Sequence, residues 1–540
     1  MALEAKRLGL SVRIVDCKTK RSIHDSRALV VHPRVMELLE TIQNGAVTKE
    51  IAKTAFHIQG VFFYLEKWFG WFQNKDGDSN DHLNLNMNDA IWGDTDYPNL
   101  YLLPQFETER ILERAFNADG GQVEYGVSPE NLTQADNLVT TRLHNVTDES
   151  TETVTSKWVL GADGGRSKTR DLVGIKMNRL ESDLYFIIAD VVFKGEPPLA
   201  SHAPGKGGHF FPSKDGMVGL LPLPGENSYR LGGQAPMGIT SKDQVTLDEV
   251  FFEQYLLKTT GKKFEVELGP WQTIFEVTHG SSDSYRQENV MLAGDASHVH
   301  SPIGGQGMNL GMQDSSNLLW KLAWAKRVME AASNEEEKAE AATTVETILG
   351  SYHSERHTLG QELIKSVEAA TRLLASRNLF VQFIRNMFIR IFLPSDHAKN
   401  DFRKAGQLEL AYTPESSPFI IEKTTKKNFI GIPGQRLPNI RLDDGSHLYS
   451  HIDRVRHTWV FLNTAGPSSK NSCSKFVVTV IPAKFDAQVS VPPISKKTFA
   501  AQQVLLVRPD QFVAGVGETQ EELLKELKKA GMNEKALETM

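Results

Sequence analysis

Three glycines within four positions, Gly304, Gly305 and Gly307, stand in front of a helical pattern and behind a Gly-Asp pair. The stretch opens Asn289-Val-Met-Leu-Ala-Gly294-Asp295-Ala296. It continues His298-Val-His300-Ser-Pro302-Ile-Gly304-Gly305-Gln306-Gly307-Met308-Asn309-Leu310-Gly311. The apolar run into Gly294-Asp295 predicts a buried strand. Leu318, Leu319, Leu322 and Ala323 then recur at helical spacing, so a helix starts near the last glycine. Loop N–H groups beside a positive helix N-terminus are a site for negative charge. The N1–C2=O edge of a flavin becomes anionic on reduction and needs such a setting. Asp295 is placed to bind the sugar-alcohol chain or to reach a pyrophosphate through water. The plainer alternative is a structural glycine loop.

A second small-residue turn reads Val159-Leu-Gly-Ala-Asp163-Gly164-Gly165-Arg166-Ser167, with Arg170 beyond. Asp163 can accept hydrogen bonds and Ser167 can cap the following helix. Without a ligand it is a tight strand-to-helix turn. His298 and His300 alternate along an extended segment and share one side. Metal ligation needs a third partner, and none is suitably spaced, so no metal is expected. Structural histidines are the favoured reading, with a bond to flavin or substrate as the other.

These motifs need elements to hold them. Residues 1–9 read as a helix ending at Gly9, and Val12–Asp16 as a strand ending in an acid. That is the second half of a dinucleotide-binding βαβ unit, in which the acid accepts from the adenosine ribose. The first half, a strand and a G-x-G-x-x-G turn, is not in the sequence. Either it lies upstream of Met1 in a longer chain or the protein lacks it. The flavin features retained elsewhere favour the first. Residues 180–285 read as strands punctuated by Pro and Gly, residues 312–395 as helices, with Tyr352–Arg356 opening one of them. Leu379–Leu393 is too short to span a membrane and carries Arg385 and Arg390. It is expected to be an amphipathic helix packed on the body, with membrane-surface contact the lesser reading. Beyond residue 410, strands at Thr458–Leu462, Lys475–Ile481 and Gln503–Val507 precede a helix at Glu518–Ala530.

The 540 residues imply several domains, and 40% apolar content allows real cores. A net charge of −7 argues against nucleic acid or an anionic membrane as partner. Cys17 and Cys473 form neither a CxxC nor a disulfide framework, so a reducing, cytoplasmic setting is expected, with no stable membrane insertion.

Together the two glycine turns resemble the DG and GD motifs of the class A flavoprotein aromatic hydroxylases, the group containing p-hydroxybenzoate hydroxylase and phenol hydroxylase. The resemblance covers nearly the whole chain. Asp16 matches the ribose-binding acid. Ser26-Arg27-Ala-Leu-Val-Val-His-Pro-Arg34 resembles the segment whose arginine contacts the cofactor, and Gln105 a flavin-contacting position opening the next helix. The missing glycine fingerprint is the departure. The resemblance implies an α/β chain with a Rossmann-like FAD-binding domain at 1–178 and 286–400, a β-sheet substrate domain inserted at 179–285, and a thioredoxin-like C-terminal domain at 410–540. Without a CxxC that last domain would be structural or dimer-forming, making a homodimer the candidate assembly.

It further implies FAD as cofactor, NADPH or NADH as co-substrate, and O2. One oxygen atom would pass, through a flavin C4a-hydroperoxide, to a small phenol-like or polyketide-derived aromatic. FAD would be held by Asp16, Arg27, Gln105, Asp163, Asp295, Pro302, Gly304, Gly305, Gln306, Gly307, Met308 and Asn309. Phe210, Leu221 and Tyr229 are candidates for the substrate wall. The apolar run Leu29-Val30-Val31 fills the place where phenol hydroxylase carries an acid, so no catalytic base is named. Two alternatives remain: a flavin-free remnant serving as a binding or scaffold protein, and a flavin enzyme of another reaction, epoxidation or Baeyer–Villiger-type insertion.

Overall fold

The computed structural model describes residues 1–22, 27–58, 60–65, 82–86, 93–180, 182–199, 207–393, 395, 403–421, 431–442, 445–462, 477–481 and 503–540. Ser26 and Cys473 lie outside them. The chain opens with α1 (Ala2–Arg7), β1 (Ile14–Asp16), β2 (Val30–Val31), α2 (Pro33–Leu39), α3 (Ala46–Thr54), β3 (Phe56–Ile58), β4 (Gly60–Tyr64), β5 (His82–Asn86), β6 (Leu100–Leu102) and α4 (Gln105–Ala118). Next come β7 (Val123–Tyr125), the meander β8 (Val127–Ala135), β9 (Leu138–Asn145) and β10 (Thr151–Ser156), then β11 (Val159–Gly161) and α5 (Lys168–Leu172). Asp136 and Asn137 join β8 to β9 with both φ angles near +50 to +60°, the mirror-image turn whose twist suits a two-residue hairpin.

The middle holds β12 (Met177–Leu180), β13 (Tyr185–Phe193), β14 (Gly207–Ser213), β15 (Gly216–Pro222), β16 (Ser228–Gln234), α6 (Glu249–Thr260), β17 (Val266–Glu276), β18 (His279–Ser282), β19 (Arg286–Gln287), β20 (Val290–Leu292) and β21 (His298–Val299). Three helices follow: α7 (Gly307–Ala331), α8 (Glu335–Leu374) and α9 (Leu379–Phe392). Residues 335–340 form the first turns of α8, where Asn334 caps the helix by accepting from Glu337 N–H at 2.9 Å. No helix starts at Tyr352, which lies inside α8. Its hydroxyl donates to the Leu292 carbonyl at 2.6 Å, so tertiary packing carries the helix past Gly350.

Parallel pairing is split. β1 pairs with β7, and β11 pairs with β20, flanked by β19. Among the described strands none joins β1 to β11. The large sheet runs β17-β13-β16-β15-β14-β4-β5. The sheet expected of residues 179–285 therefore draws two further strands from the N-terminal segment, with β4 parallel to β14. Alternation sorts its two faces. Ile187, Ala189, Val191, Tyr229 and Leu231 pack with Phe252 and Leu256 of α6. Phe210 and Leu221 face the other way, toward Leu29, Phe63 and Leu102.

The C-terminal part forms a mixed sheet, β23-β22-β24-β25, from β22 (Thr458–Leu462), β23 (Val477–Ile481), β24 (Gln503–Val507) and β25 (Val513–Gly517). β22 and β23 are parallel and the other pairs antiparallel. α10 (Gln520–Lys529) and α11 (Glu534–Thr539) close the chain. Trp459, Leu506 and Leu523 of this part share a core with Leu318, Leu322 and Trp324 of α7. Asn317 and Lys321 of α7 meet Glu355 of α8, and Arg508 donates twice to that carboxylate at 2.9 Å. Arg508, Glu355 and Lys321 are fully buried and paired. Among the described residues no helix is long and apolar enough to cross a membrane.

Candidate functional site

Gly294–Ala296 forms a short 3-10 turn after β20, and the chain re-enters a helix at Gly307. The two ends touch: a Cβ on Gly311 would stand 3.0 Å from the Gly294 Cα. Gly305 has a left-handed backbone (φ +64°), and a Cβ there would meet Val30 Cγ2 at 2.8 Å. So the glycines at 294, 305 and 311 let this loop press against β2 and against itself.

Side chains then lock it. Asn309 Nδ2 donates to the carbonyls of Val30 and Gly305, both at 2.8 Å, while its Oδ1 accepts from His32 N–H at 2.8 Å. Gln306 Nε2 donates to the carbonyls of Gly304 (3.1 Å) and Ala405 (2.9 Å), and its Oε1 accepts from Gln407 at 2.6 Å. Both side chains are consumed inside the protein. What the loop leaves open is backbone: the bond at the head of α7 runs from Leu310 N–H to the Gln306 carbonyl. The N–H groups of Gly307, Met308 and Asn309 therefore have no acceptor within the helix. Gly304 is exposed, and Pro302, Gly305, Gly307 and Met308 are half-buried.

Asp314, fully buried on α7, holds the Gly294 end. Its Oδ2 accepts from Gly294 N–H (2.9 Å) and His298 Nε2 (2.8 Å), and its Oδ1 from Arg356 Nε (2.7 Å). Burial raises its carboxyl, but Arg356, His298 and the Gly294 N–H outweigh that and hold it at about 2. Asp295 behaves differently. It is exposed to solvent yet crowded by protein, and this crowding pushes its carboxyl up against the opposing pull of His298 and Arg27.

Arg27 is thus brought to Asp295, and its guanidinium also lies 4.8 Å from the Phe275 ring centre on β17. Gln105 comes to the same segment: its N–H donates to the Ala28 carbonyl at 3.1 Å and its Oε1 accepts from Ala28 N–H at 3.3 Å. Arg230, not singled out by the sequence, also donates to the Ala28 carbonyl (3.1 Å) while paired with Asp190. Asp163 and Asp16 stand apart. The Asp163 carboxylate accepts from Thr169 N–H at 2.8 Å and from the Ser167 hydroxyl, so it caps α5. Asp16 ends β1 and accepts from Lys18 N–H at 2.8 Å. Of the substrate-wall candidates, Phe210 stacks on Phe63 at 5.3 Å, and Leu221 shares that face. Tyr229 lies on the opposite, α6 face beside Phe193.

His300 and His32 supply the test of whether a flavin edge fits. His300 Nδ1 donates to the Ser301 carbonyl at 2.8 Å, which leaves Nε2 as the acceptor nitrogen, buried without a partner. A Cβ on Gly307 would stand 3.6 Å from it. His32 Nε2 donates to the Gly305 carbonyl at 3.1 Å, and its Nδ1 is likewise buried and unpartnered. Burial lowers both imidazoles to about 4, so each is neutral at pH 7. Unpaired ring nitrogens beside unpaired helix N–H groups are polar atoms that need an outside partner. A flat group with both donors and acceptors along one edge supplies one. His32, Asp314, Arg356 and Arg230 carry much of this geometry and were missed in the sequence. Only Asp314 carried a signal, its helical spacing from Gly307 and Gly311.

A glycine loop running into a helix terminus, beside parallel strand pairs and a large mixed sheet, is the setting in which the comparisons fall. The chain belongs to the FAD binding domain family, which matches residues 1–367. It is a flavin-dependent monooxygenase with FAD as cofactor. It is 27% identical over 518 residues to the uncharacterized aromatic compound monooxygenase YhjG of Bacillus subtilis, covering 95% of this chain and 91% of the other. It is 29% identical to pentachlorophenol 4-monooxygenase of Sphingobium chlorophenolicum, covering 85% and 76%. Among solved structures, aklavinone-11 hydroxylase in complex with FAD and aklavinone superposes with a TM-score of 0.72 at 18% identity, covering 98% of this chain and 96% of that one.

Proposed function

We propose that the protein uses NADPH or NADH and O2 to hydroxylate a small phenol-like or polyketide-derived aromatic. The observation that carries this is the set of open N–H groups at Gly307–Asn309 beside the unpartnered His300 Nε2. Asp295, Arg27 and the backbone of Pro302, Gly304, Gly305 and Gly307–Asn309 would hold FAD, with Gln105 positioning the Arg27 segment. Asn309 and Gln306 act through the loop they clamp. Asp163 serves by capping α5 beside the cleft, and Asp16 remains the candidate for the ribose.

When bound, the flavin supplies hydride acceptance and oxygen activation. The chain's part is to bind, orient and exclude water. Helix N–H groups at the head of α7 would stabilise negative charge on a flavin held there. Phe210 and Leu221, on the sheet face turned toward β2 and β6, would offer an aromatic ring an apolar surface. Tyr229 belongs to the α6 core and is dropped from that wall. A relative named for pentachlorophenol supports a phenolic substrate. The C-terminal sheet, a parallel pair flanked by an antiparallel strand and closed by helices, supports a thioredoxin-like reading of residues 410–540. Residues 1–178 with 286–400 then form the FAD-binding part, and 179–285 with β4 and β5 the substrate part.

The test is FAD titration of the purified chain, alone and extended by any in-frame upstream codons, followed by visible absorption. Lack of bound flavin in both would remove the proposal. The split between β1–β7 and β11–β20 is the one observation favouring a flavin-free binding protein, and the same titration decides it. Labelled O2 and product analysis separate hydroxylation from epoxidation or Baeyer–Villiger-type insertion.

A further inference from the structure

Helix α9 sits inside out. Its polar Gln382 and Arg385 are buried. Gln382 Nε2 donates to the carbonyls of Ser376 (3.0 Å) and Lys214 (3.3 Å), and the Arg385 guanidinium donates to the Leu374 carbonyl (3.0 Å). Leu379, Phe380, Ile384, Met387, Phe388 and Ile391 point outward, each 40–72% exposed. From Phe380 the spacing is i, i+4, i+7, i+8, i+11, a single stripe. At about 200 Å² for a large apolar side chain, the six leave roughly 700 Å² open. The largest apolar patch on a monomer is usually about 300–600 Å².

We propose that a second copy of this chain covers the stripe, α9 lying antiparallel on α9 across a two-fold axis. The stripe contains no charged residue, so pairing it with itself brings no like charges together. Antiparallel pairing centred between Arg385 and Asn386 sets Phe380 against Ile391 of the second copy and Ile384 against its Met387, large against large at both ends. The open area, together with the rim it would bring in, approaches the roughly 800 Å² per partner of a standard interface. A lipid surface fits less well. Interfacial helices carry a cationic flank for anionic headgroups, whereas α9 turns Arg385 inward, has half-buried Arg390 as its one other cation, and belongs to a chain of net charge −7.

Sedimentation velocity of the full chain at micromolar concentration tests this. The expected mass is twice the 60.3 kDa of the chain. Phe380→Glu and Ile391→Lys should each give a monomer that still melts cooperatively, since both positions are exposed within one chain. Combining the two substitutions puts opposite charges across the axis and should restore the dimer. A monomeric wild-type protein, or a dimer that survives both single substitutions, overturns the proposal. So does wild-type binding to phosphatidylserine vesicles that Phe380→Glu abolishes. If either single variant fails to melt cooperatively, the other, at the opposite end of the stripe, gives the same reading.

Discussion

Replacing Asp314 by Asn tests how the cofactor loop is held. The carboxylate is fully buried and accepts from three donors, Gly294 N–H, His298 Nε2 and Arg356 Nε, at 2.7–2.9 Å. Asparagine keeps the shape but removes the charge and turns one acceptor into a donor. Removing one partner of a buried pair costs about 3–5 kcal/mol, because the remaining cation stays desolvated. Tyr412 and the Leu310 carbonyl still accept from Arg356, at 3.1 and 3.2 Å, so the lower end of that range is expected. The pKa gives an independent figure. A carboxyl at about 2 against an ordinary 3.8 is worth roughly 2–3 kcal/mol of stability. Because the folded value is depressed, that stability is complete above about pH 4 and is lost as pH falls toward 2. The larger figure applies to the substitution, which also unpairs Arg356. At about 2–4 °C per kcal/mol for the larger domains, thermal unfolding at pH 7 should fall by roughly 10 °C. FAD affinity should fall at least tenfold, since Gly294 loses its anchor. A variant melting within about 2 °C of wild type with unchanged FAD affinity would refute the reasoning.

Asn309→Ala should weaken FAD binding more than its own stability loss of about 1–3 kcal/mol, because its three partners hold the loop in place; fluorescence titration beside a melt checks this. Phe210→Ala or Leu221→Ala should raise KM for an aromatic substrate severalfold without altering the flavin spectrum, and Tyr229→Phe should leave KM alone. A KM that responds to Tyr229 but not to Phe210 would reverse the assignment of the two sheet faces. His32, buried and lowered from 6.5 to about 4, contributes full stability above pH 6.5. Up to roughly 3 kcal/mol should be lost on acidification through pH 4, read as a falling urea midpoint that flattens in His32→Asn. Glu355→Gln leaves Arg508 and Lys321 unpaired in the core and should loosen the C-terminal sheet from α7, seen as faster limited proteolysis there.

Much of the fold was legible because its strongest elements have strong patterns. The run Val290–Leu292, the glycine loop and the 307–331 helix follow from periodicity and turn chemistry alone. Two kinds of feature were hidden. The addition of β4 and β5 to the substrate sheet is a long-range pairing with no local signature, and an apolar strand does not say which sheet it joins. The partners of the loop were hidden too. His32, Arg356 and Arg230 come from far along the chain, and an isolated histidine or arginine looks the same in sequence whether it is solvated or buried in a network. That Tyr229 packs in the core beside α6 was not legible for a similar reason. Alternation gives two faces, and only the packing of α6 decides which one is core.

The site also shows why motif residues and contact residues differ. Asp163, Gln306 and Asn309 stand out in sequence, yet each side chain is satisfied within the protein. Their work is to fix a backbone path whose N–H groups remain unsatisfied. That division follows from energetics. A helix N-terminus offers fixed dipoles at no reorganisation cost when charge develops, but only if the turn before it cannot relax. Gly294, Gly305 and Gly311 make the path sterically allowed while leaving it entropically weak. The rigidity therefore has to come from Asn309, Gln306 and Asp314. Asp314 is tied through Arg356 to Tyr412, Tyr412 accepts from Asn317 (3.2 Å), Asn317 donates to Glu355 (2.6 Å), and Glu355 accepts from Arg508 just after β24 (2.9 Å). The C-terminal part is thus joined to the Gly294 end of the glycine loop through one unbroken set of buried hydrogen bonds.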